Sequence, residues 1–110
     1  MELVDETYNL TEPFPRRELY RLSSQMRRAA VSIPGNIAEG QARNTTKDFL
    51  HFLAIARGSL RELDTYFDVS QRRRYASDND LRKARSLIET VGKLLTALCV
   101  ALRRKLRPTL

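Results

Sequence analysis

The stretch Leu19–Arg43, LYRLSSQMRRAAVSIPGNIAEGQAR, constrains the fold more than any other part of the chain. Wound as one helix at about 3.6 residues per turn, it carries an apolar stripe of Leu19, Leu22, Met26, Ala29, Ile33 and Ile37. That stripe is a core face. Nearly opposite stand Ser24, Val31, Gly35, Ala38 and Ala42, all small or β-branched. A polar line of Gln25, Arg28, Ser32, Asn36, Glu39 and Arg43 separates the two. A surface helix needs one apolar stripe only. A helix lined on both sides is expected to be enclosed, either deep in a bundle or between a bundle and a neighbouring subunit. Ile33 then faces the inside of the subunit and Ala38 the neighbour. A Val31–Gly35–Ala38 side bare to water in a lone protomer would remove the argument for assembly, and with it the case that the helix pattern makes for a multivalent cationic ring.

The rest of the sequence fits a single all-α domain spanning residues 1–110. Glycine and proline are sparse, at four each, which suits helices. One modest core is all that so short a chain buries, so oligomerisation is a natural source of further stability. Met1–Leu10 reads as the end of a helix, with Leu3, Val4 and Tyr8 on one face and no N-cap signal ahead of it. This first helix is expected to be short or truncated. Two prolines in Thr11–Pro15 break the chain, and Pro15 is expected to open the second helix, which runs to about Gly40. Pro34 lies inside that helix and predicts a kink rather than a stop, because the periodicity continues past it.

Thr45 with Asp48, and Ser77 with Asp80, are capping-box pairs that open a third and a fourth helix. The third carries Phe49, Phe52, Leu53, Ala56, Leu60, Leu63 and Phe67 at three-four spacing, and Arg57, Arg61, Asp64 and Asp68 as a charged face with internal pairing. It ends near Arg72–Arg74. The fourth holds Leu81, Ala84, Ile88, Val91, Leu95, Leu98 and Leu102 in a seam, flanked by Leu87, Leu94 and Ala101. Short loops between long helices imply an antiparallel up-down four-helix bundle. The one cysteine, Cys99, excludes an intrachain disulfide and reads as a buried thiol. With no membrane-length apolar run and no signal peptide, the expected location is cytoplasmic.

Several strings in this chain travel together. Phe14-Pro15 is followed by Glu18-Leu19-Tyr20-Arg21-Leu22, then by Gln25-Met26-Arg27-Arg28-Ala29-Ala30-Val31-Ser32-Ile33-Pro34 and Asn36-Ile37-Ala38-Glu39-Gly40. Phe52-Leu53, Ala56-Arg57-Gly58-Ser59 and Glu62-Leu63 follow in the third helix. Together these strings resemble the 23S rRNA-intervening-sequence protein family, also called four helix bundle proteins, over nearly the whole chain. The resemblance implies a left-handed bundle assembling as a ring-like homopentamer. It also implies similarity to the accessory protein of diversity-generating retroelements, a basic pentamer that binds a reverse transcriptase and nucleic acid. Members encoded within ribosomal RNA intervening sequences have no established activity.

The formal net charge is +7. Such a surplus suits nucleic acid, an anionic membrane or an acidic partner, and equally a set of solvated helix faces. Candidate phosphate contacts are Arg27, Arg43, Arg72, Arg73, Arg74, Arg82, Arg85, Arg103, Arg104, Lys105 and Arg107. No aromatic platform accompanies them in sequence, so binding to RNA or DNA is expected to be backbone-driven and weakly sequence-specific. Gln25, Arg28, Ser32, Asn36, Glu39 and Glu62 are expected to form a structural polar network, with Arg28 pairing Glu39 or Glu62; the alternative is a polar groove that grips a phosphate or partner segment through Arg28. The small residues Ser24, Val31, Gly35, Ala38 and Ala42 are the candidate oligomer interface. Catalysis finds little support: His51 is the only histidine and falls opposite the core face, without cysteine or histidine at ligand spacing. No phosphate-cradling glycine loop is present, and no metal or other cofactor is expected. The chain thus reads as a non-enzymatic, homo-oligomeric nucleic-acid-binding or scaffold subunit. The alternative is an adaptor for an acidic protein such as a reverse transcriptase.

Overall fold

The computed structural model describes residues 1–107. Its helices are α1 (Glu2–Thr11), α2 (Leu22–Gln41), α3 (Thr46–Arg72) and α4 (Asp78–Lys105), with one 3₁₀ turn at Arg16–Glu18. Pro108, read as the end of the basic tail, lies outside the described residues. α1 packs on α2 and α4, and α3 packs on α2 and α4. Cross-helix contacts give the directions. Gln25 meets Tyr66 while Ser32 meets Ser59, so α2 and α3 run antiparallel. Arg85 reaches Asp64 and Asp68 while Gly92 approaches Leu60, so α3 and α4 do the same. The result is an all-α helical bundle, 58 Å long and 24 by 19 Å across.

The core follows the helical stripes. Met26, Ala29, Ala30 and Ile33 of α2 meet Leu53, Ala56, Leu60, Leu63 and Phe67 of α3, with Leu81, Ala84, Leu95, Cys99 and Leu102 of α4 completing it. Burying one such leucine stabilises by roughly 1.5–3 kcal/mol. The exposed ion pairs, such as Lys93 with Glu89 at 3.2 Å, contribute about 0–1 kcal/mol each. The bundle is therefore held by its seams. α1 buries Leu3, Thr7, Leu10 and Thr11, not the expected Leu3–Val4–Tyr8 face, and Tyr8 is exposed. Two threonines enter the core because each hydroxyl donates back to a carbonyl one turn earlier, Thr7 to Leu3 and Thr11 to Thr7, both at 2.8 Å.

The second helix starts later than its periodicity suggests. Pro15 has an extended ψ of 140° and precedes the 3₁₀ turn rather than opening a helix. Leu19, Tyr20 and Arg21 lie outside α2, and Leu19 is 39% exposed instead of lining the core. Long-range contacts explain the difference. Phe14 packs its ring on Tyr75 at 5.3 Å, and the Tyr75 hydroxyl donates to the buried Glu18 carboxylate at 2.8 Å. These ties fix the segment before α2 to the α3–α4 turn. α2 runs through Pro34 without stopping.

Cap residues mark the other boundaries. Ser77 and Asp80 form a full capping box. Thr45 accepts from the Asp48 amide at 3.1 Å, without a return bond from Asp48. Just past the end of α3, Arg74 lies in the left-handed region (φ 63°). The Tyr75 amide closes that end on the Ser70 carbonyl at 2.9 Å, a Schellman-type stop with arginine where glycine is usual.

Candidate nucleic-acid interface

All the predicted cations but Arg82 fall into three groups. Arg27, Arg43 and Arg85 are committed inside the subunit. Arg27 donates to Thr11 Oγ1 at 2.9 Å, lies over the Tyr8 ring at 4.9 Å and faces Glu12 at 3.9 Å. Arg43 pairs with Glu39 at 2.6 Å and covers the Phe52 ring at 4.8 Å. Arg85 joins α4 to α3 through Asp68 at 3.0 Å, Asp64 at 3.6 Å and Gln71 at 3.0 Å. Asp64 and Asp68 therefore pair across helices, not with Arg57 and Arg61 as expected from spacing on α3. Arg57 and Arg61 instead line a groove of about 520 Å³ between α3 and α4.

The second group gathers at one end. α3 finishes where α2 begins, so exposed Arg72, Arg73 and Arg74 come to the same end as exposed Arg16, Arg17 and Arg21. Among the described residues none of these six makes an ion pair. The acids nearby are already used. Asp80 is in the α4 cap, and its carboxyl is held below its ordinary range by the backbone amide and then the hydroxyl of Ser77. Glu18 is 8% exposed and accepts from Tyr75. Asp78 accepts from Gln71. Arg16 and Arg17 have no periodic or motif signal of their own, and Arg21 stands in a family string that assigns it no contact. Antiparallel packing of α2 on α3 brings Arg21 to that end, and the ties from Tyr75 to Phe14 and Glu18 hold the segment with Arg16 and Arg17 there.

The third group, Arg103, Arg104, Lys105 and Arg107, is exposed at the opposite end, in and just beyond the last turn of α4. Cations there also match the negative helix terminus. Arg82 is exposed on α4 and unpaired among the described residues.

The polar line of α2 is divided. Ser32 and Ser59 hydroxyls meet at 2.8 Å between α2 and α3, and the Asn36 amide donates to the Ser32 carbonyl and hydroxyl at 2.8 and 2.9 Å. Tyr66 donates to Gln25 at 2.8 Å or to Glu62 at 2.9 Å. Its phenol pKa is raised, by burial first and then by Glu62, so it stays a donor. Arg28 pairs with neither Glu39 nor Glu62. It is exposed on the outer face of α2, Arg43 holds Glu39, and the Tyr66 hydroxyl lies within hydrogen-bond reach of Glu62.

The small-residue side is open. Val31 is 47% exposed; Gly35, Ala38 and Ala42 are exposed and Ser24 half-buried. A Cβ added at Gly35 meets nothing within 4 Å. α2 is thus enclosed on one side only, because α4 packs on α1 and α3 and not behind it. The expected enclosure within a bundle does not occur, and periodicity alone no longer argues for a neighbouring subunit.

His51 is exposed, edge-on to Phe52 at 5.4 Å. Among the described residues no cluster of three or more His, Cys, Asp or Glu is placed to hold a metal. No described helix is long and apolar enough to cross a membrane. No curated protein matches the chain. The family model described as 23S rRNA-intervening sequence protein matches residues 1–97. That match spans α1, α2, α3 and most of α4, including the strings around Pro34 and Gly58, and the chain belongs to the 23S rRNA-intervening sequence protein family.

Proposed function

We propose that this protein is a non-enzymatic, homo-oligomeric basic bundle that binds nucleic acid through its phosphates. The observation carrying the proposal is the arginine end. Arg21, Arg72, Arg73 and Arg74 come from two distant segments and are unpaired among the described residues, while neighbouring carboxylates serve caps or a buried hydrogen bond. A polyanion is the simplest occupant of such a surface. No base-reading helix accompanies it, so the contacts are phosphate contacts with weak sequence preference. The oligomeric half, a ring of five, is supported by the family and not by the helix pattern. In such a ring each basic end is repeated, and affinity for a long polyanion rises by multivalency.

Fluorescence anisotropy with labelled RNA and DNA across a salt series tests this. The expected result is binding at low salt whose logarithmic slope steepens by about 0.7–0.9 per phosphate contacted. Absence of binding at low salt overturns the nucleic-acid reading.

A second reading has its own observation. Leu94 is 64% exposed on α4, and Val100 and Leu106 are exposed toward the basic C-terminal end of the same helix. Exposed apolar side chains set among cations around that end of α4 suit an acidic protein partner, such as a reverse transcriptase. Pull-down with nuclease treatment separates the two readings: a nuclease-resistant partner favours the adaptor.

A further inference from the structure

A groove of about 380 Å³ opens between the end of α3 and the start of α2, within the roughly 300–1,000 Å³ usual for small-ligand sites. Tyr20, Arg21, Gln25, Tyr66, Val69 and Arg73 line it. Tyr20 is 89% exposed, the most exposed large apolar side chain among the described residues. It stacks on no other ring among them, so it adds almost nothing to the core and leaves its ring free. Cations flank it from two segments: Arg21 from its own turn and Arg73 from the end of α3.

The polar groups of the groove have defined roles. The Gln25 side-chain oxygen lies 2.8 Å from the Tyr66 hydroxyl, whose one proton goes to it or to Glu62, and the Gln25 amide N–H donors have no partner among the described residues. Glu18 also borders the groove, but it is buried and engaged by Tyr75 at 2.8 Å. The available hydrogen-bonding capacity therefore favours an acceptor-rich, anionic ligand with a flat ring.

We propose that this groove takes a nucleotide of a single-stranded polynucleotide. The base stacks on Tyr20, Arg21 and Arg73 hold the flanking phosphates, and the Gln25 amide donates to an oxygen of base or sugar. The inference rests on the nucleic-acid reading above and makes it more specific. In a duplex the bases are stacked on each other, and Tyr20 has nothing to take up. A free base offers a face whatever its identity, so stacking adds affinity without sequence preference.

The test is anisotropy with fluorescein-labelled oligothymidine, oligouridine and a DNA duplex of equal length, using the full chain. Wild type is expected to bind either single strand more tightly than the duplex. Because a base–aromatic stack is worth roughly 1–3 kcal/mol, Tyr20→Ala is expected to weaken single-strand binding about fivefold or more. Duplex affinity and salt slope stay unchanged, and Tyr20→Phe retains wild-type binding. Arg21→Ser with Arg73→Ser lowers the salt slope for the single strands by about 1.4. Circular dichroism checks that the variants are folded. If wild type binds nucleic acid but Tyr20→Ala leaves single-strand affinity within about twofold, the groove assignment falls and the broader function stands. If wild type binds none of the three probes at low salt, both fall. Competition by oligoglutamate equal to that by unlabelled oligothymidine overturns the stacking assignment, because glutamate carries no ring.

Discussion

Gly40 and Gly58 show how differently two glycines of one sequence are placed. A Cβ at Gly40 falls 2.7 Å from Phe49 Cδ1 and 3.0 Å from Phe52 Cβ, while one at Gly58 meets nothing within 4 Å. The first glycine lets α2 and α3 close on each other beside their short connection. The second only adds freedom to the unfolded chain. Gly40→Ala is expected to destabilise by about 1–3 kcal/mol through overpacking. Gly58→Ala is expected to stabilise by about 0.5–1 kcal/mol. Urea unfolding midpoints check both. Arg74 makes the complementary case. Its φ of 63° suits glycine, so Arg74→Gly is expected to raise stability by about 1 kcal/mol. On the proposed function the same change removes one phosphate contact and lowers the duplex-DNA salt slope by about 0.9. Gain in stability without loss of slope would take Arg74 out of the interface.

Among the elements, α4 depends most visibly on its first turn. The lowered pKa of Asp80, set by the Ser77 amide and hydroxyl, means that its ionised form is favoured by folding. Its contribution is complete above the ordinary carboxylate range and is lost as pH falls through the lowered folded value. Ser77→Ala is expected to cost about 1 kcal/mol at neutral pH. Asp80→Asn is expected to flatten the acid-side loss of helicity, followed by circular dichroism. Such caps were also what made boundaries readable in sequence: Thr45 and Ser77 mark the starts of α3 and α4, and the three-four stripes name most of their core. The start of α2 was not readable, because Leu19 obeys the periodicity yet is pulled outside the helix by Phe14–Tyr75 and Glu18–Tyr75. The same distant contacts hold Arg16 and Arg17 at the arginine end. Spacing picks out Arg72–Arg74, and an up-down order of helices brings Arg21 to their end, but nothing in the pattern sets Tyr20 beside Arg73. Local pattern likewise leaves Arg27 and Arg85 free on the surface, whereas Thr11 of α1 holds the first and Asp64 and Asp68 of α3 the second; Arg43 pairs with Glu39 one turn earlier.

At the scale of the whole molecule, the bundle is a rod with unpaired arginine or lysine exposed at both ends and one long side of α2 uncovered. The assembly proposal turns on that side. Val31→Asp places a charge where the isolated chain is already open to water, so helicity is expected to stay unchanged. If Val31 and Ala38 meet a neighbour, light scattering is expected to show the variant as a monomer beside an oligomeric wild type. A wild type that is itself monomeric at micromolar concentration contradicts the ring. The seam of α4 carries one more consequence. Cys99 is 2% exposed between Leu95 and Leu102, and it is the chain's one sulfhydryl. An alkylating reagent reaches that sulfur only when the fourth helix lifts from its partners, so the labelling rate reads how often the interior breathes, with no probe introduced.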